Sequence, residues 1–181
     1  MSEKIRGYFG VGIENSSKQM NAGNLFRTAH AFGAAFLFTI NAEYSVKKVK
    51  SDTSLAPKNI PWYDFKSPNN LKLPKGCSLI GVEFIDNSIE LPVFRHPSNA
   101  AYIFGPELGN LSQDILDRCI QVVKIPSKFS LNVATAGAII LYDRIRILGK
   151  FGKRPIGSIE NPLPPLKHVH GESTRRKNKK N

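Results

Sequence analysis

The run Gln121-Val122-Val123-Lys124-Ile125 stops at Pro126, and a long apolar helical pattern opens at Ser130-Leu131-Asn132. Proline ends a strand because it has no N–H to give the ladder. Ser and Asn at a helix start carry side-chain oxygens suited to capping or to a ligand. A β-branched strand that feeds a helix through a short polar loop is the building unit of an α/β sheet.

The same alternation runs through the chain. Residues 8–13, 35–40, 78–84, 100–104 and 121–125 read as buried strands. A helix from about Asn21 sets Leu25, Ala29 and Phe32 on one face, with Gly33 suited to its C-terminal cap. Ser112 and Asp114 start a short helix over 112–119. Residues 131–148 form the longest helix, with Leu131, Ala134, Ala138, Leu141, Ile145 and Leu148 expected on its buried side. Residues 41–75 are polar and proline-spotted, and are expected to hold loops and one short helix. Buried strands alternating with helices predict an α/β fold, a mostly parallel sheet flanked by helices.

With 181 residues, one domain with a sizeable core is expected, placed here at 1–150. Residues 151–181 differ in character. They carry eight Lys/Arg against Glu160 and Glu172, half of the total net charge of +12, together with four prolines. Such a segment can bury little and is expected to be a flexible basic tail, either a solvated end or a phosphate-binding arm. The charge and a pI near 9.9 point to a polyanionic partner, of which nucleic acid is the usual one. Cys77 and Cys119 form no C-x-x-C pair, which fits a reduced, cytoplasmic setting rather than a zinc site. No signal peptide and no apolar run of membrane-spanning length are visible. Gly10-Val11-Gly12 begins a G-x-G, but Asn15 stands in the third glycine's place, so there is no dinucleotide fingerprint.

Three segments join polar loop residues to the start of a helix. The first is Asn21-Ala22-Gly23-Asn24-Leu25-Phe26-Arg27-Thr28. The second is Phe104-Gly105-Pro106-Glu107-Leu108-Gly109-Asn110-Leu111-Ser112. The third is Ile125-Pro126 with Ser130-Leu131-Asn132-Val133. In this order they resemble the three motifs of the SpoU (TrmH-like) RNA ribose 2′-O-methyltransferases of the SPOUT, or α/β-knot, superfamily. The resemblance runs from about Tyr8 to Leu148. It implies a C-terminal trefoil knot, which general fold rules would not lead one to expect. It also implies S-adenosyl-L-methionine as cofactor, RNA as substrate (tRNA before rRNA), and a homodimer with the site near the interface. A non-catalytic RNA-binding or assembly protein on the same fold is the rival reading.

The resemblance assigns roles as well. Gly105, Ile125, Ser130 and Leu131 fall on cofactor-contact positions, and Val82 or Glu83 at the end of an earlier strand are further candidates. Arg27 is the expected catalytic residue and Asn21 a substrate contact. Guanidinium is always protonated and makes a poor base. Anchoring a phosphate or stabilising the developing alkoxide suits Arg27 better. Glu107 is expected to hold Arg27 or the substrate. Ser130 and Asn132 offer a hydroxyl and an amide to the substrate or to neighbouring loops, with helix capping as their alternative. Asn110 stands where the family usually has glycine, and asparagine is tolerant of left-handed backbone. The loop Ser127-Lys128-Phe129 is shorter than in many members.

Overall fold

The computed structural model describes residues 7–17, 19–42, 56–106 and 109–149. All lie in the first of two units, Met1–Phe151. Glu107 and the basic segment 151–181 lie outside the described residues.

Seven parallel strands form one sheet in the order β3-β2-β1-β6-β4-β7-β5. They are β1 (Tyr8–Glu14), β2 (Phe36–Ile40), β3 (Trp62–Phe65), β4 (Ser78–Val82), β5 (Ile89–Glu90), β6 (Asn99–Phe104) and β7 (Gln121–Lys124). The helices are α1 (Gln19–Ala31), α2 (Ala56–Asn59), α3 (Gln113–Leu116) and α4 (Val133–Leu148). β1, β2 and β4 read as unbroken apolar runs because both faces of a parallel sheet are covered.

Alternate residues divide the core. Val11, Ile13, Leu37, Ile80, Val82, Tyr102 and Phe104 pack against α1, α2 and α4. Phe36, Phe38, Ile40, Leu79, Ala101 and Ile103 face the opposite way, onto Leu71, Leu111 and Ile115. Helix α1 buries Leu25 and Ala29 as its spacing predicts, with Phe32 packed at the margin. It ends in a Schellman motif: Ala34 N–H donates to Ala29 O at 2.9 Å and Gly33 N–H to His30 O at 3.0 Å, with Gly33 at φ +80°.

Three expectations need correction. The polar stretch 41–75 hides strand β3, which pairs with β2 from Leu37↔Trp62 to Ile40↔Phe65. As a four-residue edge strand after Pro61, with Tyr63 and Asp64 exposed, it shows no buried run. β5 is only two residues long and leaves no periodic trace. Helix α4 is turned from the expected stripe: it buries Val133, Gly137, Ile140, Leu141 and Arg144. Arg144 hid this face from an apolar count. Its exposure is 1%, and its guanidinium donates to Pro97 O and Ser98 O at 2.6 Å each and to Tyr8 O at 3.3 Å. These carbonyls and the rings of Phe9 and Tyr102 beneath it make burial of the charge tolerable.

Candidate active site

The strand register sets the site. Ile13 pairs with Phe104, Phe104 with Val82, and Val82 with Val123. One residue further along each strand brings Glu14, Gly105, Glu83 and Lys124 to the carboxyl edge of the sheet. β1 connects onward toward β2, whereas β6 connects toward β7, so connections diverge between β1 and β6. Open α/β sheets bind ligands at such a switch point, beyond the carboxyl ends.

A cavity of about 650 Å³ lies beside it, beyond the carboxyl ends of β6, β4 and β7, formed by the loops after these strands and the start of α4. Asn21, Val82, Glu83, Gly105, Ile125, Ser130, Leu131 and Asn132 all line it. Eight expected site residues, drawn from five separate segments, thus meet in one place. Val82, Ile125 and Leu131 form apolar wall, while Lys124, Lys128 and Glu83 add charge. Arg27 is not among the lining residues. It stands exposed on α1, six residues or about 9 Å of helix beyond Asn21.

Two carboxylates hold the loop after β6. Glu83 Oε2 accepts from Leu111 N at 2.8 Å and its Oε1 from Phe84 N at 2.8 Å. Glu14, with 1% exposure, accepts Ser112 N at 2.8 Å on Oε2 and the Ser112 hydroxyl at 2.5 Å on Oε1. Ser112 Oγ in turn caps α3 by accepting from Ile115 N at 3.3 Å. Gly105 fits in this clamp only for want of a side chain. A Cβ there would stand 2.9 Å from Glu83 Oε2 and 3.1 Å from Leu111 N. Glu83 therefore shapes the cavity by gripping the loop as well as lining it. Glu14 went unnoticed in the sequence. Its signal is a carboxylate closing a fully buried parallel strand, a place where only a bonded partner makes the charge tolerable.

Asn132 caps α4 by accepting from Ala134 N at 3.0 Å, and its amide donates to Asn21 Oδ1 at 3.1 Å. Both side chains at this corner are thus engaged with the protein, tying the first motif to the third. Ser127 Oγ lies 2.8 Å from Phe129 O and 3.2 Å from Ile125 O, which tightens the short loop. Asn110 does not take up left-handed backbone; the neighbouring Gly109 does, at φ +120°. The turn therefore never needed glycine at position 110.

Both cysteines are free and half-buried, and burial pushes the Cys119 thiol up to about 12. Neither supplies a thiolate near neutral pH. Among the described residues no helix is long and apolar enough to cross a membrane.

The fold is that of several solved methyltransferases. The SpoU methyltransferase AviRb from Streptomyces viridochromogenes, in complex with the cofactor AdoMet, matches with a TM-score of 0.69 at 24% identity, covering 78% of this chain and 61% of that one. The A. aeolicus TrmH/SpoU tRNA modifying enzyme gives 0.65 at 23% identity over 80% and 76%. In sequence, the mouse tRNA (guanosine(18)-2′-O)-methyltransferase TARBP1 is 28% identical over 144 residues, 73% of this chain and 9% of that protein. The tRNA (guanosine(18)-2′-O)-methyltransferase of Escherichia coli K12 is 23% identical over 145 residues, 75% of this chain and 62% of that one. This chain spans less than two thirds of either relative. Residues 9–142 match the SpoU rRNA Methylase family along the strands and helices that build the cavity. The chain belongs to the SpoU rRNA Methylase family.

Proposed function

We propose that this protein is an S-adenosylmethionine-dependent RNA ribose 2′-O-methyltransferase acting on tRNA. The observation that carries this reading is the convergence of the three motif segments on one cavity beyond the carboxyl ends of the strands. The cavity is of the right order for a nucleoside-sized ligand. Its walls suit the cofactor: Val82, Ile125 and Leu131 offer apolar faces to an adenine, and Gly105, packed against Glu83 and Leu111, puts backbone on the cavity wall. The cofactor supplies an electrophilic methyl group. The protein's residues have the remaining tasks of positioning the ribose, excluding water and easing loss of the hydroxyl proton.

Arg27 is the proposed catalytic residue, as anchor of the target phosphate and stabiliser of the forming alkoxide, with a phosphate oxygen or water taking the proton. Glu107 is proposed to orient it. Ser130 stands on the cavity wall to meet the substrate, while Asn132 and Asn21 hold the corner between motifs. A homodimer belongs to this reading, supported by exposed Ile139, Tyr142 and Ile147 on α4. So does the trefoil crossing, supported by the β7–α4 joint and the loops after β4 and β6 lining one cavity. A cytoplasmic setting suits the two free thiols. Residues 1–150 are the proposed catalytic domain, and the basic segment 151–181 is proposed to add sequence-independent phosphate contacts.

Both tRNA relatives support tRNA over rRNA. The test is transfer of labelled methyl from S-adenosylmethionine to purified tRNA and rRNA pools, followed by mass mapping of the methylated ribose. Ribose methylation of tRNA is expected. Calorimetry showing no cofactor binding by folded protein would overturn the enzyme reading and favour a non-catalytic RNA-binding protein.

A further inference from the structure

A second concavity lies on the other face of the sheet. β2 and β3 carry Phe36, Phe38, Tyr63 and Phe65 on that face, and of these rings Tyr63 is the exposed one. These rings and the segment Lys72-Leu73-Pro74 enclose a groove of about 360 Å³. Tyr63 and Phe65, two residues apart on the edge strand, hold their rings nearly parallel, 20° apart with centroids separated by 6.5 Å. Phe36 braces Tyr63 edge-on at 6.5 Å and Phe38 braces Phe65 likewise. Tyr63 keeps 52% of its surface exposed.

Among the described residues, the charged side chain that lines the groove is a lysine. Lys66, Lys72 and Lys75 are exposed, and Lys72 lines the groove itself. The one acid between residues 62 and 78 is Asp64, which turns to the opposite face and accepts from Thr39 Oγ1 at 2.7 Å. An apolar peptide would gain from the rings but nothing from the lysines. An unpaired nucleobase gains from both, because its face stacks on an aromatic ring while the flanking phosphates meet ammonium groups.

We propose that this aromatic groove is an auxiliary RNA-binding site that stacks an unpaired base of the substrate on Tyr63, with Lys72 and its neighbours holding the adjoining phosphates. The proposal rests on the reading of RNA as substrate. By strand spacing β2 lies about 10 Å across the sheet from β6, whose end borders the cavity, and the proposal has one RNA engage both sites.

The test measures binding of a fluorescent single-stranded oligoribonucleotide and of tRNA to the full chain across a salt series, beside cofactor binding and methyl transfer. Tyr63→Ala should weaken RNA binding about five- to fifty-fold and raise the KM for RNA, with cofactor affinity unchanged. Tyr63→Trp should restore it, which a merely structural role would not predict. Lys72→Gln should flatten the salt dependence by about one counterion. Wild-type RNA affinity in a folded Tyr63→Ala variant that still methylates would overturn the groove proposal alone. A change in sedimentation instead of RNA affinity would mark the groove as a protein interface and overturn it equally. Failure of the unaltered protein to bind or methylate any RNA would overturn the substrate reading as well.

Discussion

Glu14 and Ser112 stand 98 residues apart in sequence, yet Glu14 takes both the backbone N–H and the hydroxyl of Ser112, at 2.8 and 2.5 Å. Glu14 closes β1, the strand that leads into the Arg27 helix, and Ser112 closes the loop that borders the cavity. The pair therefore joins the proposed catalytic helix to the proposed cofactor loop through one buried carboxylate. Glu14→Ala leaves two donors without an acceptor. The expected loss is about 2 kcal/mol, or roughly 4–8 °C in melting temperature, with weaker cofactor binding. Glu14→Gln should recover part of both, since its carbonyl can still accept the Ser112 N–H. Calorimetric melting and cofactor titration of the two variants check this.

Gly105→Ala is expected to damage binding more than folding. The new methyl would press on Glu83 Oε2 at 2.9 Å and Leu111 N at 3.1 Å, so the clamp or the loop must move. A displacement costing about 1–3 kcal/mol corresponds to roughly a five- to 150-fold loss of S-adenosylmethionine affinity. Isothermal titration with folded variant measures it; unchanged affinity would remove Gly105 from the cofactor site.

Arg27→Ala should abolish methyl transfer and leave melting and cofactor affinity nearly unchanged. The side chain is exposed, outside the cavity wall, and opposite the buried Leu25 and Ala29 stripe. Arg27→Lys should also fail if two-point contact with phosphate is required. Single-turnover assays with saturating cofactor separate these outcomes, and near-normal turnover in the alanine variant would refute the role.

Acid sensitivity should trace to His96. Arg144 donates to Tyr102 Oη at 3.2 Å, which directs the Tyr102 hydroxyl to His96 Nδ1 at 2.6 Å and leaves Nε2–H to meet Asp143 at 3.2 Å. Burial lowers the His96 pKa from its ordinary 6.5, against the upward pull of Asp143. The unfolded chain then takes up the proton more readily than the folded one. His96 therefore supports folding fully above pH 6.5, and this support is lost as pH falls toward the lowered folded value. Melting temperatures from pH 7.5 to 5 should fall, and His96→Gln should flatten that part of the profile.

Legible in the residues alone were the alternation of buried strands and helices, the glycine cap at Gly33 and the family motifs. Each rests on local chemistry, in apolar runs, caps and turn residues. The sequence also named eight residues that meet in one cavity, because motif spacing survives without knowledge of distance. Tertiary structure decided what local pattern cannot carry. β3 exists because β2 offers it a ladder. The buried face of α4 turns on Arg144, whose charge is acceptable only against the carbonyls of Tyr8, Pro97 and Ser98. Glu14 came to hold the loop beside the cavity only when the sheet register set the ends of β1 and β6 side by side. The physical reason is the same in each case: a buried polar group is stabilised by its partner, and the partner lies far away in the chain.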